Sequence, residues 1–164
     1  MILAHLDLDA FFAAVEEIEQ PELKAVPLVV GGDPRGRGVV ATANYVARRF
    51  GIHSAMSCAE ALRRCPQAVF VRPRGQLYRQ YSREVWQTVR GVTPTVEQTG
   101  IDEGYLDIGE LAGDDWLEAR KVAEAVQASV RAASAPIVST PAARNRVSAL
   151  GPTPGSKRTS NGAR

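Results

Sequence analysis

The stretch TGIDEGYLDI, residues 99–108, sets two carboxylates side by side, Asp102 and Glu103, in a run that otherwise reads as strand. Adjacent carboxylates repel each other and lose hydration on burial, so an ordinary buried strand avoids them. A fold that keeps them must put them at a strand end or break, facing either cations or solvent. The first strand has a matching feature. In MILAHLDLDAFF, Asp7 and Asp9 fall two apart and so share one strand face. Adjacent strands would bring Asp7 close to Asp102. Three such carboxylates need cations, and oxygen-only ligation suits Mg²⁺ or Mn²⁺ rather than zinc. A two-metal site ~3.5–4 Å across aligns an attacking hydroxyl with a pyrophosphate leaving group. The alternative is a solvated strand end carrying ordinary surface acids.

The rest of the chain supplies short elements. VPLVVGG reads as a buried strand, GGDPRGRG as a hairpin turn, and VVATA as the returning strand. The glycine-rich turn lacks the Gly-Lys-Ser/Thr ending of a phosphate loop. NYVARRFGI and SCAEALRRCP read as short helices, the second stopped by Pro66, and AVFVRP as a strand. In GQLYRQYSREVWQTVRGV, apolar residues recur at Leu77, Tyr81, Val85 and Val89, a helical period. TVEQTGID and GYLDIG read as two strands around a tight break at Gly104. DDWLEARKVAEAVQASVRAA reads as the longest helix, with Asp114 or Asp115 at its N-terminus.

At 164 residues the chain fits one ordinary domain with a real apolar core. No stretch reaches the length of a membrane span, so a cytoplasmic protein without membrane partners is the expectation. Cys58 and Cys65 lack the spacing and histidines of a zinc site and read as two small buried thiols; His5 and His53 read as structural. The net charge of +2 is unevenly spread. Residues 1–124 carry 14 basic and 18 acidic side chains, whereas residues 125–164 carry six basic and none acidic. After about residue 134 the periodicity stops in a segment rich in Ser, Ala, Pro, Gly and Arg, which reads as a disordered tail.

HLDLDAFFAAVE, VVATANYVARRFGI, SAM with AEALRRCPQAVFV, YRQYS and GIDEGYLDI follow one another in order over roughly residues 1–130. Together they resemble the N-terminal part of a Y-family translesion DNA polymerase, of the bacterial DNA polymerase IV kind. The resemblance implies an α+β fold. Its split palm, an antiparallel sheet with helices on one face, takes residues 1–16 and 73–134. A small α/β fingers subdomain takes 17–72, and 135–164 is left as a disordered non-family tail.

The resemblance also assigns roles. Asp7 and Asp102 would hold two Mg²⁺ ions, or Mn²⁺, with the backbone carbonyl of Leu8 adding a ligand. Glu103 would complete the metal site and position or activate the primer 3′-hydroxyl. Phe11 would offer its backbone amide to the triphosphate. Phe12 would be the steric gate against a ribose 2′-hydroxyl, which finds neither room nor partner beside a flat apolar ring. Thr42, Tyr45 and Arg48 would clamp the triphosphate, and the three-residue spacing of Tyr45 and Arg48 puts a hydroxyl and a guanidinium on one helical face. Asp9 has a supporting role, Asp107 a structural one, and Arg49 reads as a solvated charge. Deoxynucleoside triphosphates and primer-template DNA are the implied partners. A sliding clamp is expected for the full-length family, though its C-terminal binding motif is absent here.

Gly100 stands where many relatives carry Ser, Gly104 where many carry Ala, and Ser57 where Pro often follows SAM. The larger departure is C-terminal: the strand, the lysine-bearing segment, the thumb and the little finger of the family are not recognisable. A truncated or frameshifted gene, giving a protein inactive alone, is the resulting expectation. Two other readings stay open: a non-catalytic remnant or nucleotide-binding module, and a palm-type nucleotidyl cyclase. The cyclase lacks its usual Gly-Gly-acid-Glu-Phe turn here, and TANYVARR has no place in it.

Overall fold

Alternation along the first strand decides how the layers stack. In β1 (Leu3–Leu8), Ala4, Leu6 and Leu8 are buried while Leu3, His5 and Asp7 are only half-buried. One face of the sheet is therefore core and the other is open. The computed structural model describes residues 1–113, 115–133 and 145–150. The order continues with α1 (Phe11–Glu19), a 3-10 turn (Pro21–Ala25), β2 (Leu28–Gly31), β3 (Val40–Ala43) and α2 (Tyr45–Arg48). Next come α3 (Cys58–Arg64), β4 (Val69–Val71), α4 (Gly75–Val92), β5 (Val96–Gln98) and β6 (Glu103–Asp107). The last elements are α5 (Gly109–Ala112), α6 (Trp116–Ala133) and β7 (Asn145–Leu150).

The fold is α+β, built on two sheets. The larger is antiparallel in the order β5-β6-β1-β7, and the smaller has the order β3-β2-β4. In the smaller, β2 pairs antiparallel with β3 and parallel with β4. Ala4, Leu6, Leu8 and Leu106 from the large sheet, with Ile108 just past β6, share a core with Phe11 and Val15 of α1, Tyr78, Val85, Trp86 and Val89 of α4, and Ala119, Val126 and Val130 of α6. A second core joins Val29, Val40 and Ala43 of the small sheet to Ala47, Ile52, Cys58, Ala61 and Cys65. Both cysteines are buried free thiols, and burial raises the pKa of Cys58.

Local chemistry explains the boundaries. Asp33 closes the expected hairpin turn, its carboxylate accepting from Arg35 N at 2.8 Å. Asn44 caps α2 and uses its whole amide: its oxygen accepts from Leu28 N and Ala47 N, and its nitrogen donates to Glu17 Oε1 and the Val26 carbonyl. Asp115 begins α6 by accepting from the amides of Leu117 and Glu118 at 2.8 and 3.0 Å. α4 and α6 are equally long, at 18 residues each.

Three expectations are corrected. Gly104 does not break the chain: it lies inside β6, opposite Leu6 in register, and residues 99–102 make the turn. The buried side of α4 runs through Tyr78, Ser82, Val85, Trp86 and Val89, so the inward stripe is rotated from the one through Leu77 and Tyr81. Tyrosine and serine can face inward here because each finds a polar partner. Within 135–164, expected as a disordered tail, Asn145–Leu150 forms β7, pairing antiparallel with β1 from Leu3↔Leu150 to Leu8↔Asn145. Backbone pairing with an otherwise bare sheet edge carries no compositional signature. Residues 135–144 and 151–164 of that segment lie outside the described residues.

Candidate active site

β1 and β6 bring the acids together. Their antiparallel register sets Asp7 opposite Glu103, His5 opposite Tyr105 and Leu3 opposite Asp107. Asp102, the last residue of the turn, is tied to β1 through its carbonyl, which accepts from Leu8 N at 2.9 Å. The turn is pinned from below by α4: the Ile101 carbonyl accepts from Ser82 Oγ at 2.5 Å and from Trp86 Nε1 at 3.4 Å. At its mouth, Thr99 N and Gly100 N both donate to the Glu103 carbonyl, at 3.1 and 3.0 Å. The adjacent acids are thus accommodated because the backbone turns between them, Asp102 half-buried and Glu103 exposed.

Their electrostatics are those of a site that attracts cations. Burial raises the carboxyl pKa of Asp102, and the charges of Asp7 and Glu103 raise it further. His5 is half-buried. It shares the open face, with Nε2 3.8 Å from Glu103 Oε2 and its ring 4.9 Å from that of Tyr105. Among the described residues no three His, Cys, Asp or Glu side chains are gathered so as to hold a metal ion unaided. An oxygen-only set beside open space still fits Mg²⁺, which takes one or two carboxylates and completes its shell with water and phosphate.

The chain passes from β1 to α1 through Ala10, whose φ of 53° is left-handed. That turn leaves Phe11 in the core and Phe12 half-buried, its ring stacked on Tyr78. Tyr78 donates to Glu16 Oε1 at 2.5 Å, and Arg74 grips the same carboxylate through Nε at 3.0 Å and Nη2 at 2.5 Å. Glu16 is fully buried, and sequence reading had not singled it out. A glutamate in the middle of an apolar helix face, with Arg and Tyr far along the chain, offered only a weak signal.

The short helix that follows the small sheet supplies a second polar group. Tyr45 and Arg48 lie on α2, and both reach Asp9 at the end of β1: the Tyr45 hydroxyl donates to Oδ2, and Arg48 Nη1 meets Oδ1 at 3.0 Å. Thr42 lies one element earlier, half-buried on β3 opposite Val30. Asp107 accepts from Gly109 N at 2.9 Å, a turn-forming role, and Arg49 is exposed.

An antiparallel sheet with paired carboxylates on its open face, flanked by a small sheet and a short helix presenting Tyr and Arg, defines the palm-and-fingers class of folds. The chain belongs to the impB/mucB/samB family, the Y-family DNA polymerases, whose model matches residues 6–150. It is 58% identical over 111 residues to DNA polymerase IV of Streptococcus mutans, covering 66% of this chain and 30% of that protein. It is 45% identical over 141 residues to DNA polymerase IV of Ralstonia nicotianae, covering 82% of this chain and 40% of the relative. The insertion ternary complex of Dbh DNA polymerase superposes with a TM-score of 0.80 at 29% identity, covering 92% of this chain and 42% of that one. Y-family DNA polymerases are metal-dependent, generally on Mg²⁺. No helix among the described residues is long and apolar enough to cross a membrane.

Proposed function

We propose that this chain supplies the palm and fingers of a translesion DNA polymerase, residues 1–16 and 73–134 forming the palm together with the strand Asn145–Leu150, and 17–72 the fingers. The reaction is DNA-templated nucleotidyl transfer, with deoxynucleoside triphosphates and primer-template DNA as substrates. The observation that carries this reading is the cross-strand pair Asp7 and Glu103, with Asp102 tied to Leu8 beside them. Asp7, Asp102 and the Leu8 carbonyl are the groups that would hold two Mg²⁺ ions, or Mn²⁺. When bound, these ions would neutralise the triphosphate and the departing pyrophosphate. Glu103 would orient the primer 3′-hydroxyl and complete the metal site, a role supported by its being the most exposed of the three acids. Phe12 closes the sugar site to a 2′-hydroxyl, the Phe11 amide faces the triphosphate, and Thr42, Tyr45 and Arg48 clamp it.

Orientation of the 3′-hydroxyl supplies much of the rate, and holding a duplex takes many phosphate contacts. Residues 1–124 are net negative, so they offer DNA little attraction. The 164 residues by themselves are therefore expected to extend a primer negligibly. The same residues joined to a thumb, little finger and clamp-binding segment of the family are expected to do so with Mg²⁺ or Mn²⁺. Primer extension by the two forms tests this. An inactive joined protein that binds primer-template normally would leave the non-catalytic reading in possession, and cyclic dinucleotide formation from GTP would identify a cyclase.

A further inference from the structure

Asp9, just past the end of β1, is the point at which the large sheet meets α2 through charge. Its carboxylate takes the Tyr45 hydroxyl on one oxygen and Arg48 Nη1 on the other. Arg48 is further held by its Nε, which donates to the Ala43 carbonyl at 3.0 Å, and its guanidinium lies 4.8 Å from the centroid of the Tyr45 ring. The Asp9 side chain is 19% exposed and that of Arg48 35%, so the pair is partly withdrawn from water. A carboxylate in that position offers what a phosphate would offer: two anionic oxygens set against a hydroxyl and a guanidinium edge. One O–H proton cannot serve both at once, and an Arg48 already neutralised by Asp9 attracts a further anion less.

We propose that Asp9 is a resident anion of the triphosphate clamp, occupying the phosphate-facing donors of Tyr45 and Arg48 until a polyphosphate displaces it. The proposal rests on the clamp reading given above. Asp9 is then a positioning residue. It holds the two donors together and aimed before any ligand arrives, and it weakens anion binding because each phosphate oxygen must replace an existing partner. A ligand presenting several phosphate oxygens recovers what a single small anion cannot.

Calorimetric titration of the 164-residue chain with inorganic tripolyphosphate tests this. Asp9→Asn keeps the shape and one accepting oxygen but removes the charge, and it is expected to bind tripolyphosphate about tenfold more tightly than the natural chain, a gain of ~1.4 kcal/mol. In an Arg48→Ala background the same change is expected to give a smaller gain, because only the Tyr45 hydroxyl is then left for Asp9 to release. That coupling is one a merely structural role for Asp9 would not produce. A second readout uses the unaltered protein: the Asp9 carboxyl ¹³C resonance should move at saturating tripolyphosphate. If Asp9→Asn binds no better while Arg48→Ala binds worse, the clamp stands and the proposal is overturned. An Asp9 resonance that stays still at saturation overturns it equally. If no form binds tripolyphosphate, the clamp reading falls and the proposal with it.

Discussion

The ring of Phe12 lies nearly flat on that of Tyr78, with centroids 4.4 Å apart and planes 12° from parallel. Behind it, the buried carboxylate of Glu16 receives the Tyr78 hydroxyl and the Arg74 guanidinium. The aromatic wall is thereby anchored to a polar network on the helix that Phe12 itself occupies. A ring fixed in this way can exclude a hydroxyl by contact, since it cannot turn aside without losing its stacking.

In a polymerase carrying this palm, Phe12→Ala is expected to raise ribonucleotide use at least tenfold relative to deoxynucleotide use. It removes a clash with one hydroxyl and touches none of the acids. The folded palm should lose about 1 kcal/mol with the stacked pair. The ratio of kcat/KM for matched ribo- and deoxynucleotides reads the effect. An unchanged ratio would reduce Phe12 to a packing residue.

The acid cluster should cost the metal-free protein stability. Asp102 has its carboxyl pKa raised by burial and by the charges of Asp7 and Glu103, so its ionised form is disfavoured in the fold. Asp102→Asn is expected to stabilise the chain at neutral pH without divalent ions by about 1 kcal/mol. The same substitution should abolish the Mn²⁺-induced broadening of Leu8 and Glu103 amide resonances. Urea unfolding and NMR measure the two effects, and a variant that is less stable yet still broadened would contradict the repulsion argument.

Gly104 tolerates no side chain in this setting. A Cβ there would stand 2.7 Å from both the Glu97 carbonyl oxygen and Trp86 Cη2, and the first of these is backbone in a paired strand. Gly104→Ala is therefore expected to destabilise the fold by about 1–3 kcal/mol through overpacking. Thermal unfolding should show a lowered Tm. Full stability would mean that β5 and α4 yield more readily than close packing allows.

Alkaline pH should loosen the contact between α1 and α4. Tyr81 donates to Glu19 Oε1 at 2.7 Å. Burial, then that bond and the Glu19 charge, push its pKa up to about 12. The proton is held more tightly in the folded state, so the stability it contributes is complete below about pH 10 and is lost as pH rises through about 12. Tyr78 is shifted in the same direction by burial and its bond to Glu16. Tyr81→Phe should consequently remove part, not all, of the fall in urea midpoint across that window. Identical pH profiles for the two proteins would show that Tyr81 titrates as it does in water.

Much of the site was legible as chemistry. Paired acids in a strand demand a cation or solvent, and Asp7 was set on one face by strand periodicity alone. The hairpin at Asp33 and the start of α6 at Asp115 could be read because each depends on a side chain bonding a backbone amide two or three residues away. Such local bonds are properties of short sequence and survive any rearrangement of the rest.

What the sequence determined by itself, then, were periodicities, turns, caps and the identity of the charged groups. Tertiary structure alone decided their partners. Gly104 reads locally as a breaker, yet it sits mid-strand because Trp86 and the Glu97 backbone fill the space a side chain would need. Asn145–Leu150 has no strong strand signal, yet it pairs because β1 presents a row of unmet hydrogen-bonding groups. Asp9 looked like a companion of Asp7, but the approach of α2 gave it Tyr45 and Arg48 instead. In each case the deciding group lies far along the chain, and only folding brings it within the few ångströms over which packing and hydrogen bonds act.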